Sequence, residues 1–292
     1  MQTRLLEPEF LRQLEQLSLV AKRVFAGRLK GERRSVKRGA SVEFADYRNY
    51  ALGDDPRYID WNTYARLERL FLKLFMEEED LHVYVLLDGS RSMTFGTPSK
   101  FDYARRVAAA LGYIGLCGYD RVGAALLGES MREYLAPLRG RPSVFRFFRF
   151  LEEAQADGGT ALGAALQEWA LRARRTGIAI LVSDFLDPQW EAGIKALALR
   201  KYQLAVIHVL DRSEVEPDLV GDLKLIDAET GEEREISVSG VLLRDYRRAL
   251  DHFCGSLQAA CRKYGADYLR ATTDVPFEDL VLRWLRSRGL VK

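Results

Sequence analysis

Five consecutive apolar residues, Val83-Tyr84-Val85-Leu86-Leu87, run directly into Asp88-Gly89-Ser90-Arg91-Ser92-Met93. A strand without polar alternation has both faces buried, as a central strand does in a parallel sheet covered by helices on either side. Such sheets bind their ligands at the carboxyl ends of the strands. Here that end carries one carboxylate and two hydroxyls on one short loop. Hard oxygens in that arrangement suit a small hard cation such as Mg2+, which takes near-octahedral oxygen ligands at about 2.0–2.1 Å.

Apolar runs and helical periods alternate through the rest of the chain. Strands are predicted at 83–88, 121–127, 178–183, 204–210 and 267–271, with a short edge strand at 131–136. Helices fall near 100–118, 143–155, 161–175, 189–201 and 243–264, and a last one over 276–288 stops at Gly289. This alternation predicts an α/β fold: a doubly wound, mostly parallel sheet with helices on both faces. Leu223-Lys224-Leu225-Ile226 and Glu235-Ile236-Ser237-Val238 interrupt it as a hairpin insertion near 222–239, with its turn at Gly231. Upstream, Phe10, Leu14, Leu17, Val20, Ala21 and Val24 recur at helical spacing and predict a helix over 8–26. The expected organisation is a segment 1–80 (helix, basic arm and aromatic collar) packed on a main domain 81–292.

Composition narrows the function classes. At 48% hydrophobic and 29% charged, 292 residues read as an ordinary globular chain, and a net charge of +2 implies no bulk polyelectrolyte partner. The basic arm 28–38 (Arg28, Lys30, Arg33, Arg34, Lys37 and Arg38 against Glu32) has no interleaved aromatic for base stacking. It reads as a solvated arm, with an acidic protein partner ahead of nucleic acid as the alternative. There is no signal-peptide pattern, and no apolar run approaches the roughly 20 residues of a membrane span. Cys117, Cys254 and Cys261 are odd in number and lack Cys-x-x-Cys spacing, as expected of free thiols in a cytoplasmic protein.

Two further loops complete a candidate site. Gly158-Gly159-Thr160 precedes a helix, and Ile178-Ala179-Ile180-Leu181-Val182 is a buried strand ending in Ser183-Asp184. Asp88, Ser90, Ser92, Thr160 and Asp184, in that order, resemble the metal-ion-dependent adhesion site of von Willebrand factor A domains. The resemblance implies a von Willebrand factor A-like fold, a bound Mg2+ or Mn2+, and a partner's Asp or Glu completing the coordination. Asp88, at a strand end, is expected to face solvent, so that its removal leaves the fold intact.

Enzymatic readings fit less well. A phosphohydrolase with Asp88 as nucleophile needs an acid nearby, commonly two residues on, and Ser90 stands there. There is no Gly-x-Ser-x-Gly elbow and no P-loop. His82 and His208 lie in strand patterns and His252 in a helical one, where packing explains them. The chain reads as a non-enzyme.

Residues 44–62 interleave aromatics with Arg and Asp, which predicts buried stacking and ion pairs of Arg48 or Arg57 with Asp46, Asp55 or Asp60. This stretch, the Asp-Gly-Ser-Arg-Ser-Met loop and Leu225-Ile226-Asp227-Ala228-Glu229-Thr230-Gly231 together resemble the domain-of-unknown-function 58 family over about residues 35 to 288. Members of that family are similar to von Willebrand A domains and are typically paired with MoxR-type AAA+ ATPases. The resemblance implies an adaptor in chaperone-like assembly or activation of a client protein.

Overall fold

The structure, a computed structural model, describes residues 5–17, 19, 43–51, 54, 56–76, 81–227, 229 and 231–284. The basic arm 28–38, Gly53, Asp55 and positions 285–288 of the expected last helix lie outside them. The chain forms two compact units, one of residues 26–80 and one of residues 1–25 together with 81–292. The N-terminal segment thus groups with the larger unit.

That segment contains α1 (Pro8–Leu14), with proline at a helix start where its missing N–H is not needed. Phe10 and Leu14 bury themselves in the main core. The helix ends at Leu14; positions 18 and 20–26 of the expected helix lie outside the described residues. Gln16 and Leu17 donate to carbonyls three residues back, and this tightened turn ends it.

In the smaller unit, β1 (Glu43–Asn49) pairs antiparallel with β2 (Phe71–Met76). Between them α2 (Trp61–Leu67) is capped by Asp60, which accepts from the Asn62 and Thr63 amides. Arg48 pairs with Asp54 at 2.7 Å, a partner the sequence reading did not include. The cause is local: the Asp54 amide bonds the Ala51 carbonyl, and its carboxylate accepts from the Ala51 amide, folding it back beside the end of β1. Trp61 and Tyr64 meet edge to face at 6.1 Å, but both are exposed rather than buried.

The larger unit is built on β3 (His82–Asp88), β4 (Arg121–Leu127), β5 (Met131–Arg139), β6 (Ile178–Ser183) and β7 (Gln203–Leu210). A separate hairpin, β8 (Gly221–Ile226) with β9 (Glu233–Val238), precedes the last strand, β10 (Asp267–Thr272). The sheet order is β10-β7-β6-β3-β4-β5, and β5 is its antiparallel member. This is the expected doubly wound, von Willebrand factor A-like architecture. The edge strand runs three residues past the expected 136, because an edge position tolerates Pro137.

The helices are α3 (Lys100–Cys117), α4 (Val144–Glu153), α5 (Leu162–Arg172), α6 (Trp190–Leu199), α7 (Arg212–Val215), α8 (Gly240–Tyr264) and α9 (Phe277–Asp279). Ser239 caps α8, starting it before the expected residue 243. After α9 the chain continues as a π-type turn over Leu280–Trp284.

Alternate side chains of β3 feed two cores. Val83, Val85 and Leu87 pack with residues of α1, α3 and α4; Tyr84 and Leu86 pack with residues of α5, α6 and α8. The three cysteines are free, two buried and Cys117 half-buried. His208 is buried in β7 with Nδ1 2.9 Å from the Tyr268 hydroxyl, a packing role as expected.

Candidate functional site

Successive chain segments leave β3 in opposite directions across the sheet, so the order reverses between β3 and β6. A crevice opens at such a reversal, outside the strands' carboxyl ends. Register fixes what meets there. Leu87 is level with Val182, so Asp88 and Ser183 are the next neighbours. The Ser183 hydroxyl donates to Asp88 Oδ2 at 2.5 Å, and the Ser90 amide donates to Oδ1 at 2.9 Å. A Cβ at position 89 would lie 2.6 Å from Leu126 Cδ1, so any larger residue would require the Leu126 side chain to move.

Asp88 is 1% exposed, contrary to the expectation that it faces solvent. Strands flank it on both sides, and the loop before α5 closes over its own loop: Asp157 N–H bonds the Gly89 carbonyl and Arg91 N–H bonds that of Gly158. Burial, and then the charge of Asp184, raise the Asp88 pKa to about 6 against the hydrogen bonds from Ser183 and Ser90. The hydroxyls of Ser90 and Ser92 are 3.0 Å apart. That is a hydrogen bond between them, which keeps both oxygens together on the Asp88 loop.

Asp184 follows β6 and is equally buried. Its Oδ2 is 2.8 Å from Lys100 Nζ, and its Oδ1 accepts from the Leu186 amide. Lys100 Nζ also lies 2.7 Å from Glu214 Oε1. Burial would lower the Lys100 pKa, but Asp184 and Glu214 outweigh it and raise it. Glu214 is aimed by a capping box on α7: Asp211 caps the helix, and the Asp211 amide donates to Glu214 Oε2 at 2.7 Å.

Thr160 sits one residue before Ala161, the N-cap of α5. Its loop is braced to the Asp88 loop by the Arg91–Asp157 ion pair and by Arg132, which donates to the carbonyls of Gly89 and Asp157 at 2.9 and 2.8 Å. The Thr160 amide donates to Glu229 Oε2, from the β8–β9 turn, at 3.1 Å. Burial raises the Glu229 pKa; the Thr160 and Ser92 amides oppose it, and Asp184 and Asp227 add to it.

Asp88, Ser90, Ser92 and Asp184 thus form one hydrogen-bonded and electrostatic cluster, and Glu229 links Thr160 to it. Lys100 and Glu214 were not among the residues the sequence singled out, and Glu229 was read only as part of the 225–231 motif, not as a site residue. Asp211-x-x-Glu214 is a readable capping signal, but nothing local marks Lys100. Among the described residues no cluster of three or more His, Cys, Asp or Glu side chains is arranged to hold a metal. A cation here would rest on two carboxylates and three hydroxyls.

Residues 46–252 match the family described as "Protein of unknown function DUF58". The chain belongs to the DUF58 family. It is 30% identical over 288 residues to the uncharacterized protein Rv1480 of Mycobacterium tuberculosis, covering 97% of this chain and 90% of that protein. An uncharacterized protein of Mycobacterium avium is 35% identical over 116 residues, 39% of this chain and 68% of its own length. Among solved structures, BatB from Bacteroides thetaiotaomicron aligns with a TM-score of 0.43 at 16% identity, over 72% of this chain and 98% of that one. No described helix of this DUF58 chain is long and apolar enough to cross a membrane.

Proposed function

We propose that this DUF58 chain is a non-enzymatic, cation-dependent docking module. In this reading Asp88, Ser90, Ser92, Thr160 and Asp184 hold Mg2+ or Mn2+, and a carboxylate of a partner protein completes the coordination. The observation that carries it is the meeting of the Asp88 loop with Asp184 at the point where the sheet order reverses, where open α/β sheets bind their ligands. When bound, the ion supplies positive charge that a partner's carboxylate can meet. The protein's part is to hold the donors: Ser183 and the Ser90 amide orient Asp88, Lys100 and the Leu186 amide orient Asp184, and Arg132 ties the Asp88 loop to the loop that carries Thr160.

The non-enzymatic part rests on Ser90, whose hydroxyl stands where a phosphohydrolase with an Asp88 nucleophile would carry its acid. Family resemblance suggests the partner, a MoxR-type AAA+ ATPase or its client. Three free thiols favour a reducing compartment, the cytoplasm.

Two measurements test this. Mn2+ titration followed by electron paramagnetic resonance should find one ion per chain. Affinity capture of the MoxR-type ATPase encoded in the same genome should succeed in Mg2+ and fail in EDTA. No bound Mn2+, or equal capture in EDTA, would refute the reading.

A further inference from the structure

We infer that the β8–β9 hairpin supplies the site with a built-in occupant: Glu229 takes the position that a partner's carboxylate needs, and docking requires the hairpin to leave. This rests on the docking reading above and adds to it a ligand and a form of regulation.

The contact crosses a long stretch of chain. The hairpin is an insertion between α7 and α8 that pairs only with itself in the described sheets. Yet Glu229 reaches the loop before α5, 69 residues away, and accepts the Thr160 amide proton. That contact sets the carboxylate beside Thr160, one of the three hydroxyl-bearing candidates.

The carboxylate is half satisfied. Oε2 has the Thr160 amide, whereas Oε1 is buried without a hydrogen-bond partner. A buried acceptor left unpaired is costly, and buried polar groups almost always have partners. The charges of Asp184 and Asp227 also act against this one. A cation shared with Ser92 and Thr160 would satisfy Oε1 and turn repulsion into attraction.

The tip is shaped to present this side chain, and the hairpin is lightly held. The Glu229 amide donates to Asp227 Oδ1 at 2.9 Å, the Gly231 amide bonds the Asp227 carbonyl, and Gly231 takes the positive φ of 72° that closes the turn. Most residues of β8 and β9 are exposed, including Leu225 and Ile226. An isolated two-stranded hairpin is marginal in water, and the Glu229 contact ties its tip to the loop before α5. A partner carboxylate of similar affinity could displace it.

The test uses the full chain and Mn2+ alone, followed by electron paramagnetic resonance and by hydrogen exchange over residues 221–238. In the wild type, Mn2+ should slow exchange in the hairpin. Glu229→Gln should weaken Mn2+ binding roughly 10-fold or more and abolish that protection. In Glu229→Ala, added acetate should restore Mn2+ affinity, while leaving the wild type unchanged. Equal Mn2+ affinity in all three proteins, or a weakened affinity that acetate does not raise, would overturn the Glu229 role and leave the docking reading standing. A wild type that binds no Mn2+ would remove both.

Discussion

Lys100→Met isolates the electrostatics of the sheet edge. The Lys100 ammonium lies 2.8 Å from Asp184 and 2.7 Å from Glu214, with the side chains of Lys100 and Asp184 each 1% exposed and that of Glu214 18%. Methionine is of similar length and volume, so no large cavity opens. What is lost is the charge, leaving two carboxylates close together without their counterion. Removing one partner of a buried ion pair costs about 3–5 kcal/mol. Glu214 retains its bond from the Asp211 amide and some access to water, which favours the lower end, about 3 kcal/mol. At about 2–4 °C per kcal/mol for a unit of this size, the melting temperature of the larger unit in EDTA should fall by about 6–12 °C.

The same variant probes the cation. A divalent ion near Asp184 would return positive charge to the place Lys100 vacated. Mn2+ should therefore raise the melting temperature of Lys100→Met by more than it raises the wild type. Adding Asp184→Asn should cost less than the sum of the single changes, since the charge left unpaired is then gone. A melting temperature within about 2 °C of wild type in EDTA would refute the reasoning, because it would put the pair's contribution at the level of an exposed one.

Three further outcomes follow from the contacts. Asp88→Ala strands the Ser183 hydroxyl and the Ser90 amide at about 1–3 kcal/mol each, partly offset by relief of repulsion from Asp184; Asp88→Asn keeps an acceptor there, and should melt close to wild type yet bind no Mn2+. Gly163→Ala would place a Cβ 2.3 Å from the Gln189 carbonyl oxygen, which is backbone and cannot rotate away; the urea midpoint should fall by an amount equivalent to about 1–3 kcal/mol or more. Arg132→Met frees the loop before α5 from the Asp88 loop, and Mn2+ affinity should weaken roughly 10-fold with little change in melting temperature.

How much of this was legible depended on where the information sits. β3, β4 and β6 could be read closely because each is an unbroken apolar run, and buried parallel strands need no alternation. β1 was missed as a strand because its register shifts between Phe44 and Asp46 against β2, which breaks the period-2 pattern. β5 was read too short because Pro137 looks like a terminator, and only its place at the sheet edge makes proline acceptable. The end of α1 turned on a tightened last turn that helical periodicity does not register.

The five candidate ligands belong with the legible part, since each stands in a short motif at the end of a strand or before a helix. The groups that set their electrostatics do not. Lys100 reads as the first residue of a helix behind the Ser99 cap, and its partner Asp184 lies 84 positions on. Glu229 reads as one more acid in a charged turn, and its contact with Thr160 spans 69 positions. Only the tertiary fold brings these residues near the Asp88 loop, and there they change the chemistry. Asp184 acts on both Asp88 and Glu229, and Lys100 is set against Asp184 and Glu214. That neighbourhood is short of positive charge, and the remaining repulsion falls on Asp88 and Glu229, the two groups whose pKa values burial and neighbouring acids raise. A single divalent ion among these side chains would offset the deficit for both, which is why the docking reading and the Glu229 contact support one another.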